Sequence, residues 1–268
     1  MIKLNYKELN FIHFPNGELS VSKKILENLG SVVDIIWNYE SDVEFMILYY
    51  LKNLLDENNI KSYLHIRYMP YSRMDRDNVD YGFTLKWVSK FINSLNFAQV
   101  IILEPHSDVT MALVNNSATT SVTDIYVNKI ISDTSFLEDV KIKLFFPDAG
   151  AQKRYGGMFD IESLVGFKHR DFKTGRITSL QVLGSVEQGD TIIIVDDLCS
   201  GGRTFLESAK KLKELGASKV LLFVTHCENT IYSGDLLKTD FVDHIYTTDS
   251  IFKSYNEQKT DKITVFKL

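Results

Sequence analysis

The stretch that most constrains this chain is Thr191-Ile192-Ile193-Ile194-Val195-Asp196-Asp197-Leu198-Cys199-Ser200-Gly201-Gly202-Arg203-Thr204-Phe205. Its first five residues are β-branched and mostly apolar, which predicts a strand buried on both faces, as in a parallel sheet. Two carboxylates follow where such a strand should leave the core. A short Ser-Gly-Gly loop comes next. Phe205, Leu206, Ala209, Leu212 and Leu215 then have the spacing of one helix face, and Gly216 is placed to end that helix in a left-handed cap. The N–H groups of a helix start lack intrahelical partners and carry the positive end of the dipole, so a phosphate is favoured there. Glycines let the backbone approach such an anion. Adjacent carboxylates at a strand end suit vicinal hydroxyls or a metal ion. The plainer reading is a strand–turn–helix with Ser200 as N-cap and two solvated aspartates.

Other strands follow the same pattern. Ser31–Trp37, Lys61–Tyr68 and Ala98–Leu103 read as strands, with helices between them through Phe45, Leu48, Leu51 and Leu55 and over Phe83–Leu95. Ser41-Asp42-Val43-Glu44 fits a capping box opening the first of these helices. A second run starts at Lys141–Phe146 and continues through the Thr191 strand, Lys219–Thr225 and Val242–Thr247. Strands alternating with helices predict an α/β fold whose parallel sheets are covered on both faces. The polar stretch from Asn128 to Val140 is the weakest joint, so we divide the chain into 1–138 and 139–268. The strand at Lys262–Lys267 is able to belong to either half.

At 268 residues, 44% of them apolar, the chain can build two ordinary cores. A formal net charge of −5 gives no general footprint for nucleic acid or anionic membrane, so phosphate binding must be local. There is no signal-peptide pattern and no bilayer-length apolar run, and the two cysteines, Cys199 and Cys227, lack metal-type spacing. These features predict a cytoplasmic protein with reduced thiols. Cys199 lies beside the predicted helix start, where a thiol pKa can fall.

Ligands of such sheets sit beyond the carboxyl ends of the strands. Beyond them here lie Met69-Pro70-Tyr71-Ser72-Arg73-Met74-Asp75-Arg76, Glu104-Pro105-His106-Ser107 and Pro147-Asp148-Ala149-Gly150. Singly, each has an ordinary explanation: an ion-paired loop, a hydrogen-bonded histidine, a helix cap. Together they offer arginines for a polyphosphate and an imidazole with a carboxylate for a divalent metal.

These residues resemble the ribose-phosphate diphosphokinases, or phosphoribosyl diphosphate (PRPP) synthetases. Phe14-Pro15-Asn16-Gly17-Glu18 resembles the family's Phe-x-x-Gly-Glu, and Tyr68–Arg76 its Tyr-x-Pro-Tyr-x-Arg-x-Asp-Arg. Pro105-His106-Ser107 matches its metal-binding histidine, Pro147–Gly150 its Pro-Asp-x-Gly, and Val195-Asp196-Asp197 the start of its PRPP loop. Lys168-His169-Arg170 is similar to the catalytic Lys-Arg-Arg, with a histidine in the middle. The motifs occur in the family's order along nearly the whole chain.

The resemblance implies two tandem domains of the type I phosphoribosyltransferase-like fold, each a mostly parallel sheet flanked by helices. It implies diphosphoryl transfer from magnesium-bound ATP to ribose 5-phosphate, releasing AMP. Phe14, Asn16, Glu18, Arg73, Asp75, Arg76 and His106 would serve ATP, and His106 and Asp148 the metal. Lys168 and Arg170 would be catalytic, opening a polar loop, Asp171–Thr178, with Lys173 and Arg176, that closes over the substrates. Asp196 and Asp197 would hold ribose hydroxyls or a second metal. Ser200, Gly201, Gly202, Arg203 and Thr204 would hold the sugar phosphate. Small-molecule substrates and a homo-oligomer are implied; nucleic acid and membrane partners are not.

The chain departs from the family in being shorter, and in Ser200-Gly201-Gly202-Arg203-Thr204 where the family reads Asp-Thr-x-Gly-Thr. One hydroxyl donor is lost and a guanidinium is gained, which suits a more extended anion. ADP-ribose, which relatives pyrophosphorylate in NAD salvage, is therefore a rival acceptor. A non-catalytic regulatory relative would be marked by loss of Lys168, Arg170, His106 or Asp148, all of which are present. A phosphoribosyltransferase would share the Asp196 loop but have no need for the Arg73–Arg76 or Phe14–Glu18 elements.

Overall fold

The computed structural model describes residues 1–77, 79–137, 140–170, 177–253 and 260–268. The chain forms two compact units, Met1–Ser121 and Val122–Leu268.

In the first unit the chain runs through β1 (Ile2–Leu4), β2 (Lys7–Glu8), β3 (Ile12–His13), β4 (Leu19–Ser20), β5 (Val32–Trp37) and α1 (Val43–Glu57). It continues through β6 (Lys61–Ile66), α2 (Thr84–Ser94), β7 (Gln99–Leu103), α3 (Asp108–Leu113) and β8 (Ser117–Thr120). Among the described residues the main sheet has the order β2-β1-β5-β6-β7-β8, with β3 and β4 paired as a separate hairpin. Neighbours from β5 to β8 are parallel; β1 and β2 join antiparallel. The strands from β5 to β8 follow one another in space, and right-handed crossovers then place successive helices on one face. The core shows it. Ile35, Trp37, Leu64, Ile66, Val100 and Ile102 project to the face where Leu48, Leu51 and Leu55 of α1 and Leu85, Val88 and Ile92 of α2 are buried. Burying each such leucine contributes about 1.5–3 kcal/mol. The expectation of cover on both faces is therefore corrected for α1 and α2, which share one face.

In the second unit α4 (Thr123–Leu137), β9 (Ile142–Phe146), α5 (Ala149–Tyr155), β10 (Ser163–Arg170), β11 (Ile177–Leu183) and β12 (Thr191–Cys199) are followed by α6 (Arg203–Glu214), β13 (Lys219–Cys227), β14 (His244–Thr248) and β15 (Ile263–Phe266). Among the described residues the sheet order is β11-β10-β9-β12-β13-β14-β15. Only the β10–β11 pairing in it is antiparallel. From β9 the chain steps to β10 on one side; from β12 it steps to β13 on the other. The crossover helices α5 and α6 consequently lie on opposite faces. Leu144, Phe146, Ile193, Val195 and Phe223 pack with Ala151 and Tyr155 of α5 and with Val127 and Ile130 of α4. Phe145, Ile192, Ile194 and Val224 pack with Phe205, Ala209 and Leu212 of α6. The reversal between β9 and β12 is a topological switch point, where such sheets bind ligands.

The division between the units falls at 121/122 rather than 138/139. The polar appearance of 128–140 hid the helix α4, whose Val127 and Ile130 are buried in the second unit and whose Tyr126 stacks on Phe266 at 4.2 Å. The last strand, β15, pairs with β14 and so belongs to the second unit.

Candidate active site

The strand β12 extends four residues beyond the apolar run, so Asp196 and Asp197 lie within it. Backbone pairing to β13 continues through Cys199↔Cys227. Asp197 is buried and the Asp196 side chain is 13% exposed. Their partner is Arg154 of α5, whose Nη2 donates to Asp197 Oδ1 at 2.7 Å and to Asp196 Oδ1 at 3.1 Å. The Asp197 N–H also donates to Asp196 Oδ1, at 2.9 Å. Burial, and next to it the charge of Asp197, push the Asp196 carboxyl up to about 8, with Arg154 pulling the other way.

Asp148 precedes α5 as its N-cap, its Oδ1 accepting from Ala151 N–H at 3.0 Å. The carboxylate is otherwise exposed and close enough to add to the Asp196 shift. The helix-cap explanation of Asp148 thus holds, and one short helix carries Asp148 at its start and Arg154 near its end. Arg154 was not among the expected site residues. Its signal was its position on a helix after the Pro-Asp-Ala-Gly turn, opposite an acidic pair in need of a counter-ion.

The loop from Ser200 to Gly202 leads directly into α6. Gly202 has φ +78 and is the N-cap; a Cβ there would come within 2.6 Å of Leu236 Cδ2. A Cβ at Gly234 would collide with the Gly201 carbonyl oxygen, so Gly234 backs the loop at close range. Ser200 is not the cap. Its hydroxyl donates to Glu228 Oε2 at 2.7 Å and lies 3.2 Å from Thr230 Oγ1. The N–H groups of Arg203, Thr204 and Phe205 precede the first bond of the helix, Leu206 N–H to Gly202 O. Arg203 is exposed and Thr204 half-buried. Gly216 follows the helix at φ +117, the left-handed stop expected of it. Cys199 is fully buried inside β12 rather than at the helix start, beside Cys227. The hydrogen bond with Cys199, then burial, raise the Cys227 thiol pKa.

In the first unit, three expected residues converge on Asp75. Arg76 Nε donates to Asp75 Oδ1 at 2.9 Å, and His106 and Ser107 are close enough to act on the same carboxylate. Burial opposes ionisation of Asp75, but Arg76, Ser107 and His106 outweigh it and hold the carboxyl below its usual range. The Arg76 side chain is 80% exposed, and Arg73 is exposed too. The loop is braced at Tyr71, a non-glycine residue at φ +62. The Tyr71 and Tyr39 hydroxyls donate to Asp42 Oδ1 at 2.6 and 2.8 Å. The hydrogen bond to Asp42 raises the Tyr71 pKa; burial, then Asp42, raise that of Tyr39.

The capping box at Ser41–Glu44 does not form. Asp42 is the N-cap of α1 without a side-chain cap bond, while Glu44 accepts from Trp37 Nε1, Glu40 N–H and the Met1 ammonium. Phe14, Asn16 and Glu18 occupy the exposed turn joining β3 to β4, closed by Phe14 N–H to Glu18 O and Gly17 N–H to Phe14 O, each 2.9 Å. Lys168 and Arg170 lie at the end of β10, and Thr178 in β11. The side chains of Lys168, His169, Arg170 and Thr178 are outside the described residues, as are Asp171–Arg176 entirely.

Among the described residues, no three His, Cys, Asp or Glu side chains form a group able to hold a metal. Magnesium is usually bound through one or two carboxylates plus substrate phosphates, and the exposed Asp148 carboxylate fits that manner of binding. No described helix is long and apolar enough to cross a membrane.

Residues 170–268 match the phosphoribosyl synthetase-associated domain family. The ribose-phosphate pyrophosphokinase of Marinomonas sp. (strain MWYL1) is 27% identical over 197 residues, covering 69% of this chain and 59% of that protein. The Vibrio parahaemolyticus enzyme of the same name is 26% identical over 215 residues, covering 76% of this chain and 65% of the relative. These alignments thus span about three-fifths to two-thirds of the relatives' length. The phosphoribosylpyrophosphate synthetase structure from Mycobacterium smegmatis shares the fold, with a TM-score of 0.75 at 16% identity over 96% of this chain and 85% of that one.

Proposed function

We propose that the chain, which is similar to the ribose-phosphate pyrophosphokinases, transfers a diphosphoryl group from ATP to the anomeric hydroxyl of a ribose 5-phosphoryl acceptor. The observation that carries this reading is the switch point of the second unit. There a paired acidic strand end, the Asp148 carboxylate and a glycine loop opening a helix gather around one strand reversal.

In this reading Asp196 and Asp197 accept hydrogen bonds from the ribose hydroxyls. The N–H groups at the start of α6, with Thr204 and Arg203, take the 5-phosphate. Gly201 and Gly202 keep that approach clear, while Ser200 braces the loop through Glu228. Arg73 and Arg76 bind the polyphosphate of ATP, with Asp75 and His106 holding the Arg76 loop in place and Phe14, Asn16 and Glu18 completing the nucleotide contacts. The acceptor oxygen attacks the β-phosphorus, the bond to the oxygen bridging α and β breaks, and AMP leaves. Lys168 and Arg170 stabilise the negative charge that develops during this step. Magnesium would neutralise the diphosphate and orient it, and Asp148 in the second unit and His106 in the first are each a residue type that could ligate it. We further propose that the enzyme acts in the cytoplasm on small molecules and self-associates.

The exposed Arg203 favours a second acceptor, ADP-ribose, whose additional phosphate it would meet. The test is AMP release from ATP and magnesium, run separately with ribose 5-phosphate and ADP-ribose. We expect release with at least one, and a loss of about 10²–10³ in kcat for Lys168→Ala. No release with either acceptor defeats the proposal and favours a regulatory role. Arg203→Ala should impair ADP-ribose turnover more than that of ribose 5-phosphate; equal effects remove the second reading.

A further inference from the structure

An aspartate at the start of a helix ordinarily turns its carboxylate onto the first N–H groups of that helix. Asp42 starts α1 and makes no side-chain cap bond. Its Oδ1 instead accepts the Tyr71 hydroxyl at 2.6 Å and the Tyr39 hydroxyl at 2.8 Å. The centres of the two rings lie 6.3 Å apart, and the Tyr39 ring meets that of Trp37 edge-on at 5.9 Å. Both tyrosine rings pack against the core of the first unit, while Asp42 itself is exposed. Hydroxyl bonds to a carboxylate are roughly twice as strong as those between neutral groups. The arrangement is a clamp that ties the start of α1 to the loop after β6.

The clamped residue is strained. Tyr71 sits at φ +62, a left-handed backbone that a bulky residue keeps only when its surroundings enforce it. Its carbonyl accepts from Met74 N–H at 2.9 Å, closing the turn that carries the exposed Arg73. Ser72 is buried within that turn, and the bond between Asp75 and Arg76 secures the far end of the loop. We infer that Asp42 is a positioning residue for the nucleotide: through the Tyr71 phenol it holds the left-handed turn that sets where Arg73 and Arg76 present their charges. Tyr39, on the same oxygen, helps keep the carboxylate turned to the loop. This rests on the ATP reading above and adds to it a residue with no proposed contact to the nucleotide.

The test is isothermal titration calorimetry of the full chain with ATP in magnesium, for wild type, Asp42→Ala, Tyr71→Phe and the double variant. Thermal midpoints are measured alongside. By charge alone Asp42→Ala should tighten binding, because a negative group is removed from the unit that takes the polyphosphate. Loss of the clamp predicts the reverse. Asp42→Ala should bind about tenfold more weakly, and Tyr71→Phe about as weakly although no charge changes. The double variant should be no weaker than the weaker single one, because both changes remove the same bond. A merely structural role would reduce the fitted number of sites and leave Kd unchanged, and that result overturns the inference. So does Asp42→Ala or Tyr71→Phe binding ATP at least as tightly as wild type, and so do two single effects that multiply in the double variant. Should Asp42→Ala not fold, Tyr71→Phe, which removes one hydroxyl and keeps the ring, still decides. All of these leave the ATP reading standing. Failure of wild type to bind ATP removes that reading and the inference with it.

Discussion

Each unit sets a carboxylate against an arginine at the carboxyl end of its sheet, yet the two arrangements titrate in opposite directions. Asp75 has Arg76 largely to itself and is held below the usual carboxylate range despite its burial. Asp196 shares Arg154 with Asp197 and is pushed up to about 8. Burial, with the charge of Asp197 next to it, decides the sign at Asp196, whereas Arg76, Ser107 and His106 together outweigh burial at Asp75. Position decides the role: Arg76 reaches into solvent from the next residue along the chain, whereas Arg154 comes from a separate helix and is mostly covered. The first is a rim cation that can turn to a ligand; the second is a fixed part of its unit.

The largest expected effect is on Arg154. Removing one partner of a covered ion pair leaves its charge stranded, so Arg154→Met should lower stability by about 3 kcal/mol in urea unfolding. Asp196→Asn comes next and acts in the opposite sense. A carboxyl with a raised folded pKa binds more protons folded than unfolded, so its contribution to stability declines as pH rises from about 4 towards 8. Asparagine does not titrate, so relative to wild type the variant should gain stability steadily between pH 5 and pH 8, read from thermal midpoints.

Asp75→Asn should destabilise by about 1 kcal/mol at neutral pH. Because the Asp75 pKa is lowered, its contribution is present above the unfolded value of about 4 and fades as pH falls through the folded value. The difference from wild type should therefore close in acid. Arg76→Met is the smallest: no measurable change in unfolding, but a raised KM for ATP in the AMP-release assay. Equal losses of stability at Arg76 and Arg154 would erase the contrast between the two units. Like pH trends for Asp75→Asn and Asp196→Asn would do the same.

The central strands were legible because runs such as Thr191–Val195 and Val32–Trp37 are dense in β-branched and other apolar residues that only a covered sheet accommodates. The edges were not. The two- and three-residue strands β1 to β4 are too short to show alternation, and the β10–β11 hairpin passes through a basic, polar sequence that reads as loop. In α4 the buried Val127 and Ile130 are outnumbered by polar residues, so helix and boundary were confused. The Ser41–Glu44 pattern suggested a local cap, but Trp37 and the chain's first residue compete for Glu44. Tertiary contacts decided it.

The site divided along the same line. Asp75, Arg76 and His106 stood out because each ends a recognisable strand, and the fold brings them together. Arg154 and Glu228 escaped notice because their partners lie 42 and 28 residues away, and only the strand reversal and the β12–β13 pairing join them. Spacing along one element is visible in a sequence. Pairing between elements has to wait for the topology.

Gly234 shows what that blind spot conceals. It lies 33 positions beyond Gly201, yet the carbonyl of that loop rests against its bare α-carbon. Any larger residue at 234 would lift the loop off its seat and re-aim the first amides of α6 without altering a single side chain proposed to contact the sugar phosphate. A site can therefore be retuned or ruined from its underside, by a position that a catalogue of contact residues would leave out.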